Sequence, residues 1–357
     1  MKNLAEKVFR FAPNRVWRVY RGGSGIDELR RAPSDGDGHF PEDWIASTSS
    51  ANNPQYDAPD QGLSMVELPE GNRLFRDLLA ESPDSMLGAT HVSRFGTNSG
   101  LLMKILDSAE RLPIQVHPSV AEAKRCFHSD FGKTEAWYVV AVRKVRGEEP
   151  YLLFGFNDRL DPDLFRQEAL SGSIVRGREM LHRIAVRPGD RFIVPGGTPH
   201  AIGCGVTVIE TMEPSDLVVQ PELFCGEQRI SEAERWSGAP PEEALKSFDF
   251  VSETEAELRR RCSPEPVKID DSLSIVIPYA LARYFEVQHL DVDGVYVFRN
   301  RECRHRAGVV ISGDVVCRAP GGDTKLARGD AFFMPYELEE CRFEGTGEIV
   351  FALPPPN

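Results

Sequence analysis

Val186-Arg-Pro-Gly-Asp190-Arg-Phe-Ile-Val-Pro-Gly196 leads into Gly197-Thr-Pro-His200-Ala-Ile202, and its first half returns as Leu326-Ala-Arg-Gly-Asp330-Ala-Phe-Phe-Met-Pro-Tyr336. Each copy reads as a turn built on Gly-Asp, a short apolar strand, and a proline that ends the strand. A repeat of this kind predicts two related barrels in one chain. The first copy runs on to a histidine, whereas the second continues through Glu337-Leu-Glu-Glu-Cys341 without one. Many short strands with Gly/Pro turns lie on either side, the pattern of a mainly β, double-barrel protein with helical additions.

Outward from His200, two more segments carry metal-ligand chemistry: Gln115-Val-His117-Pro118 and Gly132-Lys-Thr-Glu135-Ala-Trp-Tyr138. Residues two apart on a strand point the same way, so Gln115 and His117 can aim at one point. Glu135 opens a strand-like run to Val142. One glutamine, two histidines and one glutamate make an N/O ligand set with a single anion, which suits a borderline divalent ion such as zinc. A histidine after a Gly-rich turn is by itself an ordinary loop residue; the combination carries the reading.

In order along the chain stand Leu101-Leu-Met-Lys-Ile-Leu-Asp107, Ile114-Gln-Val-His-Pro118, Gly132 to Tyr138, Arg187-Pro-Gly-Asp190, Pro195 to Ile202, Ile209-Glu210, Ser215-Asp216 and Leu353-Pro-Pro-Pro356. On these blocks the chain resembles the type I mannose-6-phosphate isomerases, zinc enzymes of the cupin superfamily. The resemblance implies two cupin (jelly-roll) barrels: an N-terminal metal-binding lobe over 1–225, a helical connecting segment over 226–262, and a C-terminal lobe without metal over 263–357. It implies one zinc ion per chain, held by Gln115, His117, Glu135 and His200. The activity it implies is the interconversion of mannose-6-phosphate and fructose-6-phosphate, in which a proton moves between adjacent carbons through an enediol and a metal neutralises the developing oxyanion. Lys133 is then expected near substrate oxygens or phosphate, Glu210 among the catalytic residues and Asp216 at the substrate. A cupin oxygenase using iron is an alternative for two histidines and a glutamate, but Gln115 and the Lys-x-Glu pattern fit an isomerase better.

The family pattern places a catalytic arginine four residues beyond the aspartate, where this chain has Gln220. Glutamine donates hydrogen bonds but brings no charge. Losing such a contact costs on the order of 2 to 4 kcal/mol, roughly a hundred- to a thousandfold in rate. Unless Arg229 or Arg191 takes its place, the pattern implies a slow enzyme, one of altered specificity, or a non-catalytic metal-cupin that binds a sugar or sugar phosphate.

The sum of 42 basic and 55 acidic residues gives a net charge of -13, which disfavours nucleic acid and anionic membrane surfaces as partners. A sugar phosphate therefore needs a local cationic pocket, for which Lys133, Lys124 and Arg125 are near in sequence; taken singly, the last two read better as a solvated helix face. Seven cysteines without a Cys-x-x-Cys pair fit free thiols in a reducing compartment. No signal-like or membrane-length apolar run is present, so a cytoplasmic location is expected.

Strands are expected at Val16-Trp-Arg-Val-Tyr20 and Asp43-Trp-Ile-Ala-Ser-Thr48, with a structural role for Trp44. Leu74 to Glu81 has helical apolar spacing. Ser119 with Glu122 forms the pattern of a capping box, and Asp161-Pro162 starts a second helix. Three pieces between the lobes, starting at Ile230, Pro241 and Glu253, begin acidic and end basic, as the helix dipole favours. His39, His91, His182, His289 and His305 are expected to have no metal role, and His128 stays open because it sits between two ligand segments.

Overall fold

The computed structural model describes residues 4–356 except 57 and 59. In the first barrel a six-stranded antiparallel sheet runs, edge to edge, Arg191–Val194, Glu135–Val142, Val206–Met212, Leu102–Asp107, Glu42–Ile45 and Arg15–Val16. A three-stranded sheet of His200–Ile202, Tyr151–Phe156 and Leu181–Ala185 packs across it. The rings of Trp137 and Phe154 meet at 5.9 Å and those of Phe154 and Phe192 at 6.0 Å, joining the two sheets through a buried core.

The second barrel is an eight-stranded sheet dominated by three 14-residue strands, Glu286–Arg299, Arg306–Ala319 and Glu340–Leu353. Strands this long close into a barrel only if they bend. Gly313 supplies one bend: it sits at φ 67°, and an added Cβ would come within 1.9 Å of the Thr346 carbonyl oxygen. Alternation then sorts side chains. Phe332 and Phe351 face the barrel interior with Phe298 and Phe343, whereas Phe333 faces outward and meets Phe75 of the helix Phe75–Glu81 at 4.9 Å. The outer face of the second barrel and the helices Phe75–Glu81, Pro83–Leu87 and Ala89–Phe95 thus share one core with the first lobe. The short strand Phe9–Arg10 pairs with Ala331–Met334 and joins the second barrel's sheet.

The two Gly-Asp turns are superposable in hydrogen bonding. Asp190 Oδ2 accepts from the Arg187 amide at 2.9 Å, and Asp330 Oδ2 accepts from the Ala327 amide at 2.9 Å. A strand of four residues follows in both copies, then a turn, then a strand that starts at His200 in one and at Glu340 in the other.

Helices form at Val120–Phe127 and Pro162–Ser171, with Ser119 and Asp161 accepting from the Glu122 and Leu164 amides. The capping box at Ser119 is half made, because Glu122 turns its carboxylate to Arg125 at 2.7 Å. Full capping boxes occur instead at Ser231/Glu234 and Thr254/Glu257, opening the helices Glu232–Trp236 and Glu255–Cys262. The first expected strand stops at Val16. Beyond it the Arg18 amide donates to the His39 carbonyl and His39 Nδ1 donates to the Arg18 carbonyl, both at 2.9 Å, so this stretch satisfies its backbone against a loop rather than a ladder. Among the described residues no helix is long and apolar enough to cross a membrane.

Candidate metal centre

Backbone pairing brings the ligand segments together. Gln115 and His200 are directly opposite, exchanging both amide hydrogen bonds at 2.9 Å, which places their side chains on the same face. Val116 pairs with Val219 in the same way and is fully buried on the other side, so Gln115 and His117 project together. Gly196 lets this turn close: a Cβ there would sit 2.8 Å from the Ser119 amide nitrogen. Glu135 opens its strand between Val194 and Met212.

The outcome is a buried triad. His117 Nε2 lies 3.1 Å from Glu135 Oε2, His200 Nε2 lies 3.4 Å from Glu135 Oε1, and one donor atom from each residue falls within 4.8 Å of the others. Protonation decides what this means. His117 Nδ1 donates to the Leu217 carbonyl at 3.0 Å and His200 Nδ1 to the Thr198 carbonyl at 2.9 Å, so each neutral ring turns an unprotonated Nε2 toward the carboxylate. Burial pushes His200 down to about 3 against the pull of Glu135, and burial together with Lys133 lowers His117, so both rings are neutral at pH 7. Three Lewis bases aimed at one another with no shared proton form a cation site, with the backbone carbonyls fixing the tautomers. A divalent metal fits these residues. The Lys133 ammonium is the nearby positive charge, 3.1 Å from His117 Nε2 and 3.5 Å from Glu135 Oε2.

The triad adjoins a cavity lined by Gln115, Lys133, Glu210, Asp216 and Gln220, and also by Arg18, Glu42 and Lys104, for which the sequence gives no site role. Glu42 is their hub. Its Oε1 accepts from the Tyr20 hydroxyl at 2.7 Å, and its Oε2 meets Trp44 Nε1 at 2.6 Å, Arg18 Nε at 3.0 Å and Lys104 Nζ at 3.4 Å. Lys104 reaches on to Glu210 Oε1 at 3.2 Å. Register explains the cluster: Lys104 stands directly opposite Trp44 on one side and Glu210 on the other. Burial pushes Glu42 up, but Arg18 and Lys104 outweigh it and hold its carboxyl well below the ordinary range. Burial lowers Lys104, yet Glu210 and Glu42 raise it to about 12. Glu210 goes the other way: burial, opposed by Lys104 but reinforced by Glu135, lifts it to about 7. Trp44 is the floor of this cluster, with the Arg18 guanidinium 5.2 Å and the Lys104 ammonium 4.8 Å from its ring centre.

The fold resolves the candidates that the sequence left open. Arg191 binds the Pro264 carbonyl at 2.7 Å and Glu265 at 3.1 Å, and Arg229 is exposed on a hairpin, so neither enters the cavity. The cavity guanidinium belongs to Arg18, from a segment 200 residues earlier. Lys124 and Arg125 lie on the exposed face of their helix, paired with Asp130, Glu122 and Glu243, and supply no pocket charge. His128 is the exposed left-handed cap of that helix, at φ 54°. The signal for Lys104 was present in the sequence, as a lysine inside an otherwise apolar strand; Arg18 had none.

A small antiparallel barrel that presents two imidazole nitrogens and a carboxylate to one point beside a polar cavity is a metal-binding cupin. No protein-family model matches the chain. It is 30% identical over 280 residues to mannose-6-phosphate isomerase ManA of Bacillus subtilis, covering 75% of this chain and 80% of that one. It is also 37% identical over 138 residues to mannose-6-phosphate isomerase of Streptococcus mutans, 38% of this chain and 41% of that one. The fold matches the crystal structure of the mannose 6-phosphate isomerase from Bacillus subtilis with a TM-score of 0.72 at 22% identity, covering 97% of this chain and 99% of that one. This chain belongs to the mannose-6-phosphate isomerase family of enzymes.

Proposed function

We propose that the protein interconverts mannose-6-phosphate and fructose-6-phosphate, using one zinc ion held by Gln115, His117, Glu135 and His200. The observation that carries this reading is the buried triad of donors beside a polar cavity, in a chain of this family. The nitrogen-rich set with one carboxylate suits zinc. When bound, the metal supplies a Lewis acid that stabilises negative charge on a sugar oxygen.

The remaining chemistry falls to the chain's own side chains. Glu210, buried in the cavity lining with its Oε1 3.2 Å from Lys104 Nζ, is the group that moves the proton between adjacent sugar carbons. Lys133 donates to substrate oxygens next to the triad, Asp216 accepts from sugar hydroxyls, and Gln220 contributes an uncharged donor. The metal chemistry belongs to the lobe 1–225, with 226–262 connecting it to the lobe 263–357. The free cysteines support a reducing, cytoplasmic setting.

A second reading, an uncharged sugar as substrate, is favoured by one observation. The lining cations Arg18, Lys104 and Lys133 are each already ion-paired, against the lining carboxylates Glu42, Glu135, Glu210, Asp216 and Glu234. A coupled assay on zinc-loaded protein with mannose-6-phosphate and with mannose, metal content recorded, tests both. Turnover of the phosphate ester is expected; turnover of mannose alone supports the second reading, and silence toward both sinks the isomerase assignment.

A further inference from the structure

Arg18 is held more tightly than a charge-balancing arginine needs to be. Its Nε faces Glu42 Oε2 at 3.0 Å, Nη1 donates to Asn53 Oδ1 at 3.0 Å, and Nη2 donates to Asp216 Oδ1 at 2.8 Å, while its plane rides over Trp44. A guanidinium has five N–H donors in a fixed fork, so these bonds leave one N–H on each terminal nitrogen. Its partners do not depend on it alone: Glu42 also has Tyr20, Trp44 and Lys104, and Asp216 Oδ2 accepts the Asn52 amide at 2.9 Å. A side chain fixed at three points, with two donors left and lining the cavity, is pre-organised for something that enters it.

We infer that Arg18 is a substrate-positioning and specificity residue, whose two remaining N–H groups grip oxygens of the sugar across the cavity from the metal triad. This rests on the isomerase reading above. The chemistry recognised is hydroxyl or enediolate oxygen rather than phosphate. Arg18 and Lys104 together face Glu42, Asp216 and Glu210, so this end of the cavity has directed donors but no surplus positive charge for a dianion. Gln220 lines the same cavity without a charge, four residues beyond Asp216 on the same segment. An arginine there would bring a second guanidinium to the same space.

The test is steady-state kinetics of zinc-loaded protein with mannose-6-phosphate on Arg18→Gln, Arg18→Lys and the double variant Arg18→Gln/Gln220→Arg, with metal content and melting temperature measured on each. Arg18→Gln is expected to lower kcat/KM by about a hundredfold, the size of one lost preorganised donor group. Metal content should stay at the wild-type level, and the double variant should recover tenfold or more. Should Arg18→Gln fail to fold, Arg18→Lys carries the test: it keeps the charge between Glu42 and Asp216 but has one nitrogen instead of three, so at least a tenfold loss is expected. Activity of either variant within threefold of wild type, or a loss that Gln220→Arg does not restore, overturns the inference and leaves the isomerase reading standing. A silent wild type removes that reading instead; calorimetric binding of mannose-6-phosphate then decides, and affinity unchanged by Arg18→Gln overturns the inference.

Discussion

In the first barrel the turn after Arg191–Val194 sets down a fully buried histidine, His200; in the second the matching turn after Ala331–Met334 sets down Glu340, half exposed and paired with Arg299 at 3.0 Å. The aspartates that brace the two turns make the same hydrogen bond at the same distance. Only the interiors differ. One holds the metal triad and an open cavity, while the other is filled by Phe298, Phe332, Phe343 and Phe351 with the Arg306 guanidinium 4.3 Å from the Phe298 ring. The turn is therefore a scaffold shared by both copies, and the inward side chains give one barrel a polar cavity and the other an aromatic core.

Four measurements would break or sharpen that contrast. The largest effect is expected from His200→Ala, which removes a ligand outright. Metal affinity should fall by more than the roughly 10- to 100-fold typical of losing an outer-shell partner, with the fold retained; full occupancy by elemental analysis would refute the ligand assignment. Phe351→Ala opens the packed interior and should destabilise by about 3 to 5 kcal/mol in denaturant unfolding. Metal content per folded chain should be unchanged, and a parallel loss of metal would mean the barrels are not independent in this respect.

The third concerns the seam between the barrels. His305 is buried, with ring nitrogens 3.2 and 2.9 Å from the Leu87 and Ser99 carbonyls and the His91 ring at 4.7 Å; burial and His91 push it down to about 3. Its folded value lies below the ordinary 6.5, so the neutral ring contributes stability that is full above pH 6.5 and is lost as pH falls from there toward 3. Between pH 6.5 and 5 that loss approaches about 2 kcal/mol. His305→Gln should shrink the melting-temperature difference between pH 7 and pH 5, and an undiminished difference would assign the acid sensitivity elsewhere. The smallest effect is expected from Glu340→His. Among the described residues the second barrel holds no His/Cys/Asp/Glu group that such a histidine would complete, so the zinc stoichiometry measured by elemental analysis should not rise.

The contrast also accounts for what could be read from the sequence. That His117, Glu135 and His200 come together, with Gln115 paired to His200, was legible because short motifs fix them: alternation on a strand, a Gly-rich turn, and the run from Gly132 to Tyr138. The repeat between Val186 and Leu326 disclosed the two barrels. Glu42, Lys104 and Glu210 form one cluster only because their strands are neighbours, a fact of register that no local spacing encodes. Arg18 was invisible for a different reason. Its segment reads as a strand, but its backbone bonds to the loop at His39, and that turns the guanidinium into the cavity.

The pairing of Phe9–Arg10 with Ala331–Met334 sets a timetable for biosynthesis. Phe9 lies opposite Phe333, more than three hundred residues downstream, so this strand leaves the ribosome long before its partner does. At roughly 5 to 20 residues per second, that wait is on the order of tens of seconds. During it the nascent first lobe carries Phe9 and the aromatic surface around Phe75 without the sheet that covers them. A vectorially growing chain of this design depends on that surface staying unattached until the strand Ala331–Met334 arrives.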